Sequence, residues 1–322
     1  MKILYGIQGT GNGHISRARV LASKLAQYKH IDITYLFSGR DKKDFFDMEI
    51  FGDYLHFDGL TFISKNGKID QLATAKKNNL FKFIRNIKSL NFDEYDLVIT
   101  DFEPVTAWAA KKNKKPVLGI GHQYAFGEST PLAGDNYFTR LIMRNFAPAK
   151  NSFGLHWHQY SKNVLPPIVD TKIKNTGENS HVLVYLPFEN QDEVTQILQQ
   201  IPQVNFKQYS PEVSDSDKGN VVLRKANYAG FKKDLQSASG VICNSGFELI
   251  SECLHIGLPI LTKPLNGQME QHSNALALEQ LNYAKVVKSL SLTSIKQWCL
   301  ADKTTITKPL PDVAGAIADA IV

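Results

Sequence analysis

Cysteines, long apolar runs and metal-ligand spacings are scarce in this sequence. Cys243, Cys253 and Cys299 are its only three cysteines in 322 residues. They form no metal-ligand spacing and leave an odd number for pairing, which suits a reducing compartment and three buried thiols. The opening MKILYGIQGTGNGHIS breaks into glycines before it could make a signal-peptide core or span a bilayer, so the chain is expected to stay in the cytoplasm. Low-complexity tracts and sequence repeats are absent. So are zinc-finger spacings and aromatic-basic RNA motifs, and nucleic acid is not an expected partner.

What is present is the composition of an ordinary folded protein, 43% hydrophobic and 21% charged. The length exceeds what one hydrophobic core usually organises, which predicts two domains of about half the chain each. The net charge of +6 is uneven: residues 1–165 carry 23 Lys+Arg against 15 Asp+Glu, the remainder 14 against 16. A basic N-terminal half points to an anionic partner there, such as a membrane surface or an acidic glycan.

Two strand and helix alternations follow one another, and each predicts a parallel sheet with helices on both faces. The first runs from Lys2–Ile7 through a helix at about 14–28 to the strand Ile31–Phe37, then Asp96–Thr100, a helix through Ala110, and Pro116–Ile120. Paired prolines and polar residues at 163–180 read as a linker, which gives domains at 1–165 and 166–322. Beyond it come strands at His181–Leu186, Gly240–Asn244 and Pro259–Thr262, and a terminal helix that can pack on either domain.

Between the first strand and its helix lie Gly9, Gly11 and Gly13, where backbone amides and the helix N-terminus can face an anion or a hydroxyl-rich ligand. The dinucleotide fingerprint needs a glycine where His14 stands, although Ser38, Gly39 and Arg40 keep a nicotinamide-binding oxidoreductase as a minor reading. His14 is either a candidate base or a helix cap. Asp101 and Glu103 follow a strand at the ligand-binding edge of the sheet; they are either site carboxylates, in a DFE run that could hold a metal, or N-cap and first-turn residues before Pro104. His122 ends the next strand and either reaches the same cleft or is satisfied locally.

The most informative run is residues 240–281. A strand ends at Asn244, Ser245 and Gly246 make a tight turn, and a helix starts near Phe247, aiming free amides at a diphosphate. Glu252, six residues into that helix, can take a vicinal diol through two hydrogen bonds. Glu270 and Gln271 open a further helix on the same crevice.

SGFELISECLHIGLPI followed by QMEQHSNA resembles the donor-site segment of GT-B glycosyltransferases related to the lipid-linked N-acetylglucosaminyltransferase of peptidoglycan synthesis, and GTGNGHISRA resembles their glycine loop. The resemblance implies two Rossmann-like α/β domains with parallel sheets facing a central cleft, the first for the acceptor and the second for the donor. It implies transfer of a hexosyl group from a nucleoside diphosphate sugar, most simply UDP-linked, to an acceptor hydroxyl on a glycan or lipid-linked molecule. The reaction would invert the anomeric centre, with no metal and no cofactor. By the same resemblance Ser245, Gly246 and Phe247 cradle the diphosphate, Glu252 holds the ribose, and Glu270 with Gln271 faces the sugar. Tyr228 and Phe231, ahead of the helix FKKDLQSA, stand where the family contacts the base, and His14 matches its glycine-loop histidine. The first candidate for catalytic base is His14 and the second Asp101. The family's paired glutamines are Glu270-Gln271 here, so the identity of the sugar stays open. A sugar-nucleotide epimerase and a non-catalytic nucleotide-sugar or glycan-binding protein remain alternatives, because the fold hosts them too.

Two basic amphipathic stretches, 72–92 and 137–150, remain. In the first, Leu80, Phe81, Phe83, Ile84 and Ile87 form one helical face ringed by Lys76, Lys77, Lys82, Arg85 and Lys88. Such a helix either rests on the inner face of an anionic membrane or turns its apolar side to the core.

Overall fold

The computed structural model describes residues 1–322 except 128, 135, 136 and 304. It contains two seven-stranded sheets and one small hairpin. The first sheet comprises β1 (Lys2–Gln8), β2 (Asp32–Ser38), β3 (Leu55–His56), then, after the hairpin β4 (Ser64–Lys65) and β5 (Lys68–Ile69), β6 (Leu97–Asp101), β7 (Val117–Gly121), β8 (Asn151–Leu155) and β9 (Val164–Leu165). Its order is β3-β2-β1-β6-β7-β8-β9, and all pairings are parallel. The second sheet comprises β10 (His181–Tyr185), β11 (Phe206–Ser210), β12 (Ser216–Lys218), β13 (Val221–Lys225), β14 (Ala238–Asn244), β15 (Ile260–Lys263) and β16 (Lys285–Val286). It runs β12-β13-β11-β10-β14-β15-β16, parallel except for the edge strand β12.

Near-continuous apolar runs such as Ile3, Leu4, Tyr5 and Ile7 in β1 are fully buried, as strands covered on both faces must be. The covering helices are α1 (Asn12–Leu25), α2 (Gln71–Lys77), α3 (Leu80–Ser89), α4 (Pro104–Lys112), α5 (Tyr137–Phe146), α6 (Gln191–Gln199), α7 (Tyr228–Gln236), α8 (Phe247–Ile256), α9 (Met269–Gln280), α10 (Leu292–Leu300) and α11 (Val313–Ile321). In both sheets the strand order reverses beside the first strand of the half, β1 or β10, and it is outside the carboxyl ends of the strands at such a point that open α/β sheets bind ligands.

The halves interlock. Lys24 of α1 and Tyr28, just past its end, bond Asp312 and Asp319 at the chain's end, so the terminal helix packs on the first half. The β4–β5 hairpin reaches the other way, with Gly67 N–H donating to Phe188 O and Asn266 N–H to Gly67 O. Trp157 and Phe247 pack between the halves with ring centroids 5.0 Å apart and planes tilted by 35°, and the Trp157 indole N–H donates to Ser251. All three cysteines are buried, and burial pushes the Cys243 thiol up to about 12 and the Cys299 thiol up to about 11.

Several local expectations change. Residues 72–92 make two helices because the chain turns extended at Asn78, which ends the first, and Asn79 caps the second, accepting from Lys82 N–H. The apolar face of α3 is not turned wholly inward: Leu80, Phe81 and Ile84 are 62%, 88% and 48% exposed, while Ile87 packs beneath. Tyr228 and Phe231 lie on α7, not ahead of it, because Asn227 caps that helix one residue before Tyr228.

Candidate active site

Ten helices have a described N-cap, and seven of them are closed by a side chain: Asp70, Asn79, Glu103, Asn190, Asn227, Ser291 and Asp312. The three without a side-chain cap are α1, α8 and α9, behind Gly11, Gly246 and Gln268. These three N-termini meet. A Cβ on Gly13 of α1 would lie 2.7 Å from the Glu248 carboxylate of α8, which places the two helix starts side by side. Asn274 of α9 donates to Ser245 O in the turn before α8. Gln123, just after β7, donates to Glu270 of α9 at 2.9 Å and lies 3.4 Å from His14 Nε2. Uncapped amides are unsatisfied donors at the positive ends of three helices, which suits an anionic, hydroxyl-bearing ligand.

His14 is the third residue of α1, and Gly11, not His14, holds the cap position. Its Nδ1 lies 2.7 Å from Asp101 Oδ1. With Nδ1–H donating to the carboxylate, Nε2 carries the lone pair and accepts a long hydrogen bond, 3.4 Å, from the Gln123 amide. Asp101 is wholly buried at the end of β6. Burial alone would raise its carboxyl, but the charge of Arg17 and the hydrogen bonds from His14 and Arg17 outweigh that and hold it below the usual range. Arg17, 1% exposed, donates from Nε to Asp101 Oδ2 at 2.8 Å, bonds Asp101 Oδ1 through Nη2, and pairs with Glu248 through Nη1.

The two carboxylates of DFE part company. Phe102, at a φ of 51°, turns the chain, and Glu103 becomes the N-cap of α4, accepting from Val105 N–H and Thr106 N–H at 2.9 and 2.6 Å. Ser38 Oγ also donates to it. Glu103 is therefore a cap and Asp101 is not, because Asp101 is turned to His14 and Arg17. Ser38 and Arg40, the residues behind the dinucleotide reading, are engaged as well: Arg40 donates twice to Asn12 Oδ1 at 3.0 Å and lies over the Phe45 ring. His122 is buried, with Nδ1–H donating to Leu155 O, Nε2 2.6 Å from Asn274 Oδ1 and its ring stacked 3.9 Å from Phe247. Gly9 N–H donates to Ser38 O, extending the β1–β2 pairing into the glycine loop.

On the second half, Ser245 is buried with its hydroxyl on Thr262, and the Gly246 Cα faces open space. The Phe247 ring packs between the halves, which leaves its backbone N–H as the part of that residue at the turn. Glu252 is 6% exposed and ion-paired with Lys232 of α7. Tyr228 lies over Arg19 at 4.9 Å, and its N–H donates to Asp47. Phe231 packs on Tyr185 and Tyr209. Gln271 accepts from Leu265 N–H, and Glu270 is the member of the pair linked across the cleft.

Sequence reasoning missed Arg17, Gln123 and Glu248. Arg17 had a readable signal, since it stands three residues after His14 on the same helix face.

Residues 1–301 match the family model described as Glycosyl transferase family 1. The chain belongs to that family. It is thus a glycosyltransferase, and among curated relatives it is 24% identical to an uncharacterized glycosyltransferase of Methanosarcina acetivorans, over 89% of this chain and 86% of that one. Its GT-B fold is shared by MurG of Acinetobacter baumannii (TM-score 0.59, 18% identity, covering 99% of this chain and 98% of that one). It is also shared by the Streptomyces sp. SF2575 glycosyltransferase SsfS6 in complex with thymidine diphosphate (TM-score 0.60, 13% identity, covering 94% and 92%). Two Rossmann-like units with parallel sheets, expected from the sequence, are what this glycosyltransferase has.

Proposed function

We propose that this glycosyltransferase moves a hexosyl group from a nucleoside diphosphate sugar, UDP-linked in the simplest case, to an acceptor hydroxyl, inverting the anomeric centre without a metal. The observation that carries this reading is the meeting of three uncapped helix N-termini with the His14–Asp101 pair. Residues 1–165, with the terminal helix, serve the acceptor and 166–322 the donor. The diphosphate lies at the N-terminus of α8, on the Phe247 N–H and the other first-turn amides, while Ser245 and Gly246, whose own N–H groups donate to Lys263 O and Asn244 O, shape the turn beneath it; Glu252 turns from Lys232 to the ribose. The nucleobase lies beside Tyr228 and Phe231 at α7, and Glu270 and Gln271 face the sugar.

His14 Nε2 takes the acceptor proton as the acceptor oxygen forms its bond to the anomeric carbon from the face opposite the diphosphate. Asp101 fixes the ring's tautomer and stabilises the imidazolium that results. The bond to the diphosphate breaks in the same step, and helix-terminal amides meet the charge that develops there. SsfS6, which shares this fold, is in complex with thymidine diphosphate, and that supports a nucleoside diphosphate donor.

Titration calorimetry with UDP in the presence of chelator tests the donor site. Affinity is expected to be unchanged from that in added magnesium, whereas binding that vanishes in chelator refutes the amide cradle.

The acceptor is a glycan or a lipid-linked molecule met at an anionic membrane surface. Exposed Leu80, Phe81 and Ile84 of α3 stand in a segment that carries Lys76, Lys77, Lys82, Arg85 and Lys88, and α5 exposes Leu141 and Ile142. None of the described helices is long and apolar enough to cross a membrane, so contact through these helices would be peripheral at the cytoplasmic face. Sedimentation with anionic vesicles should be salt-sensitive and be lost when the five basic residues become glutamine. Equal sedimentation with neutral vesicles counts against it.

A further inference from the structure

The guanidinium of Arg17 lies between two carboxylates from opposite halves of the molecule. Its Nε and Nη2 face both oxygens of Asp101, at the end of β6 in the first half, and its Nη1 faces Glu248, in the first turn of α8 in the second half. Arg17 is 1% exposed, Asp101 is wholly buried and Glu248 is 14% exposed. A planar fork of donors is the one side chain that can hold a carboxylate in two-point contact and still present a third donor to another. Gly13, with no Cβ, leaves the Glu248 carboxylate room beside the start of α1. Arg17 Nη2 also lies 3.0 Å from His14 Nδ1.

We propose that Arg17 is the positioning residue that ties the His14–Asp101 pair to the donor-side helix: Glu248 fixes Arg17, Arg17 fixes Asp101, and Asp101 fixes His14. The base is then fully aligned only while α8 is seated against α1. Proton transfer on the acceptor side is thereby conditional on the donor side being in place.

A second consequence deepens the proposed donor site and rests on that reading. Glu248 stands in the first turn of the helix whose amides are to receive a diphosphate, and an unpaired carboxylate there would repel it. Arg17 neutralises that carboxylate. Removing Arg17 and removing Glu248 therefore move nucleotide affinity in opposite directions while both lower turnover. A merely structural ion pair would not do this, since loss of either partner would weaken binding and turnover alike.

The test uses the full-length chain with Arg17→Gln, Glu248→Ala and the double variant. Calorimetry with UDP is expected to show about tenfold weaker binding for Arg17→Gln, equal or tighter binding for Glu248→Ala, and near wild-type binding for the double variant. Turnover, read as UDP released from a UDP-hexose, should fall about tenfold or more in all three. Because alanine suits a helix and Glu248 is near the surface, Glu248→Ala keeps the fold and is the decisive variant.

An arm without nucleotide uses the unliganded protein with nitrogen-labelled histidine, in which the His14 Nδ1–H resonance should be displaced or broadened in Glu248→Ala. If wild-type protein binds no UDP, the donor reading fails, and this resonance still judges the relay. Weaker UDP binding in Glu248→Ala, or a His14 resonance identical to wild type, overturns the proposal.

Discussion

Two turns in this molecule have the same backbone solution and different chemistry. The turn from β1 into α1 and the turn from β14 into α8 each end a buried parallel strand, place a glycine at the helix N-cap and leave the first amides without a side-chain partner. The first turn is followed by His14 and Arg17, with Asp101 beneath them. The second is followed by one ionisable side chain in its first turn, Glu248, and that charge is already met by Arg17. The same anion-seeking geometry therefore has opposite electrical settings. In the proposed reaction the α1 turn exchanges a proton and the α8 turn holds a charge. The distinction comes from three or four side chains and not from the fold, which is why architecture alone cannot assign roles to the two halves.

The sharpest way to break this comparison is to remove the proton-handling group. His14→Ala is expected to lower turnover by roughly 10²–10⁴-fold, the usual contribution of a general base, with UDP affinity nearly unchanged. Asp101→Asn should follow in the same direction, since it loses the partner that sets the imidazole tautomer. Glu103→Gln is the control two residues away: it weakens the α4 cap by about 1 kcal/mol and leaves turnover per folded molecule near normal. Turnover, UDP affinity and melting temperature measured on one preparation separate these outcomes. Full turnover in folded His14→Ala would remove the assignment of the base.

Much of this was legible in the sequence because it is local. A strand that ends in glycines before an apolar-periodic helix fixes both turns, and the Asn244–Phe247 segment falls where it was expected. The choice between Asp101 and Glu103 was not legible, because it depends on Phe102 adopting a left-handed backbone, which no neighbouring residue signals. Arg17 and Gln123 were missed for a different reason. Their partners Asp101, Glu248 and Glu270 lie tens to hundreds of residues away, and a buried arginine on a helix reads in sequence like a solvated one. The exposed apolar residues of α3 are readable as a stripe, but periodicity alone could not tell which way the stripe faces.

A second variant adds a charge at the donor turn. Gly246 has a φ of −75°, and a Cβ there meets nothing within 4 Å, so aspartate fits without strain. Its carboxylate should cap α8, gaining about 0.5 kcal/mol of stability, and occupy the amides proposed for the diphosphate. Gly246→Asp is expected to bind UDP about 100-fold more weakly while melting no lower than wild type, because like charge and loss of the amides both act against the ligand. Unchanged UDP affinity in this variant would place the diphosphate elsewhere.

The smallest effect is expected from the same substitution at the other turn, and it is the most discriminating. Gly11 caps α1 at a φ of −122° with open space where a Cβ would stand, so Gly11→Asp is as well accommodated as Gly246→Asp and gains a similar half kcal/mol or so from capping. The new carboxylate would accept from the backbone N–H of Gly13 or His14, which leaves the His14 ring, Asp101 and Arg17 in their present contacts. UDP affinity should therefore stay within about twofold of wild type, and turnover should fall by only about threefold, through the added charge near the acceptor. If Gly11→Asp instead loses UDP as completely as Gly246→Asp, the two turns share one anion and the division between proton transfer and charge binding is wrong. If it loses turnover as completely as His14→Ala while UDP binding holds, the α1 amides themselves touch the acceptor. The two variants carry the same chemistry at matched positions, so any difference between them reports the role of the turn and not the substitution.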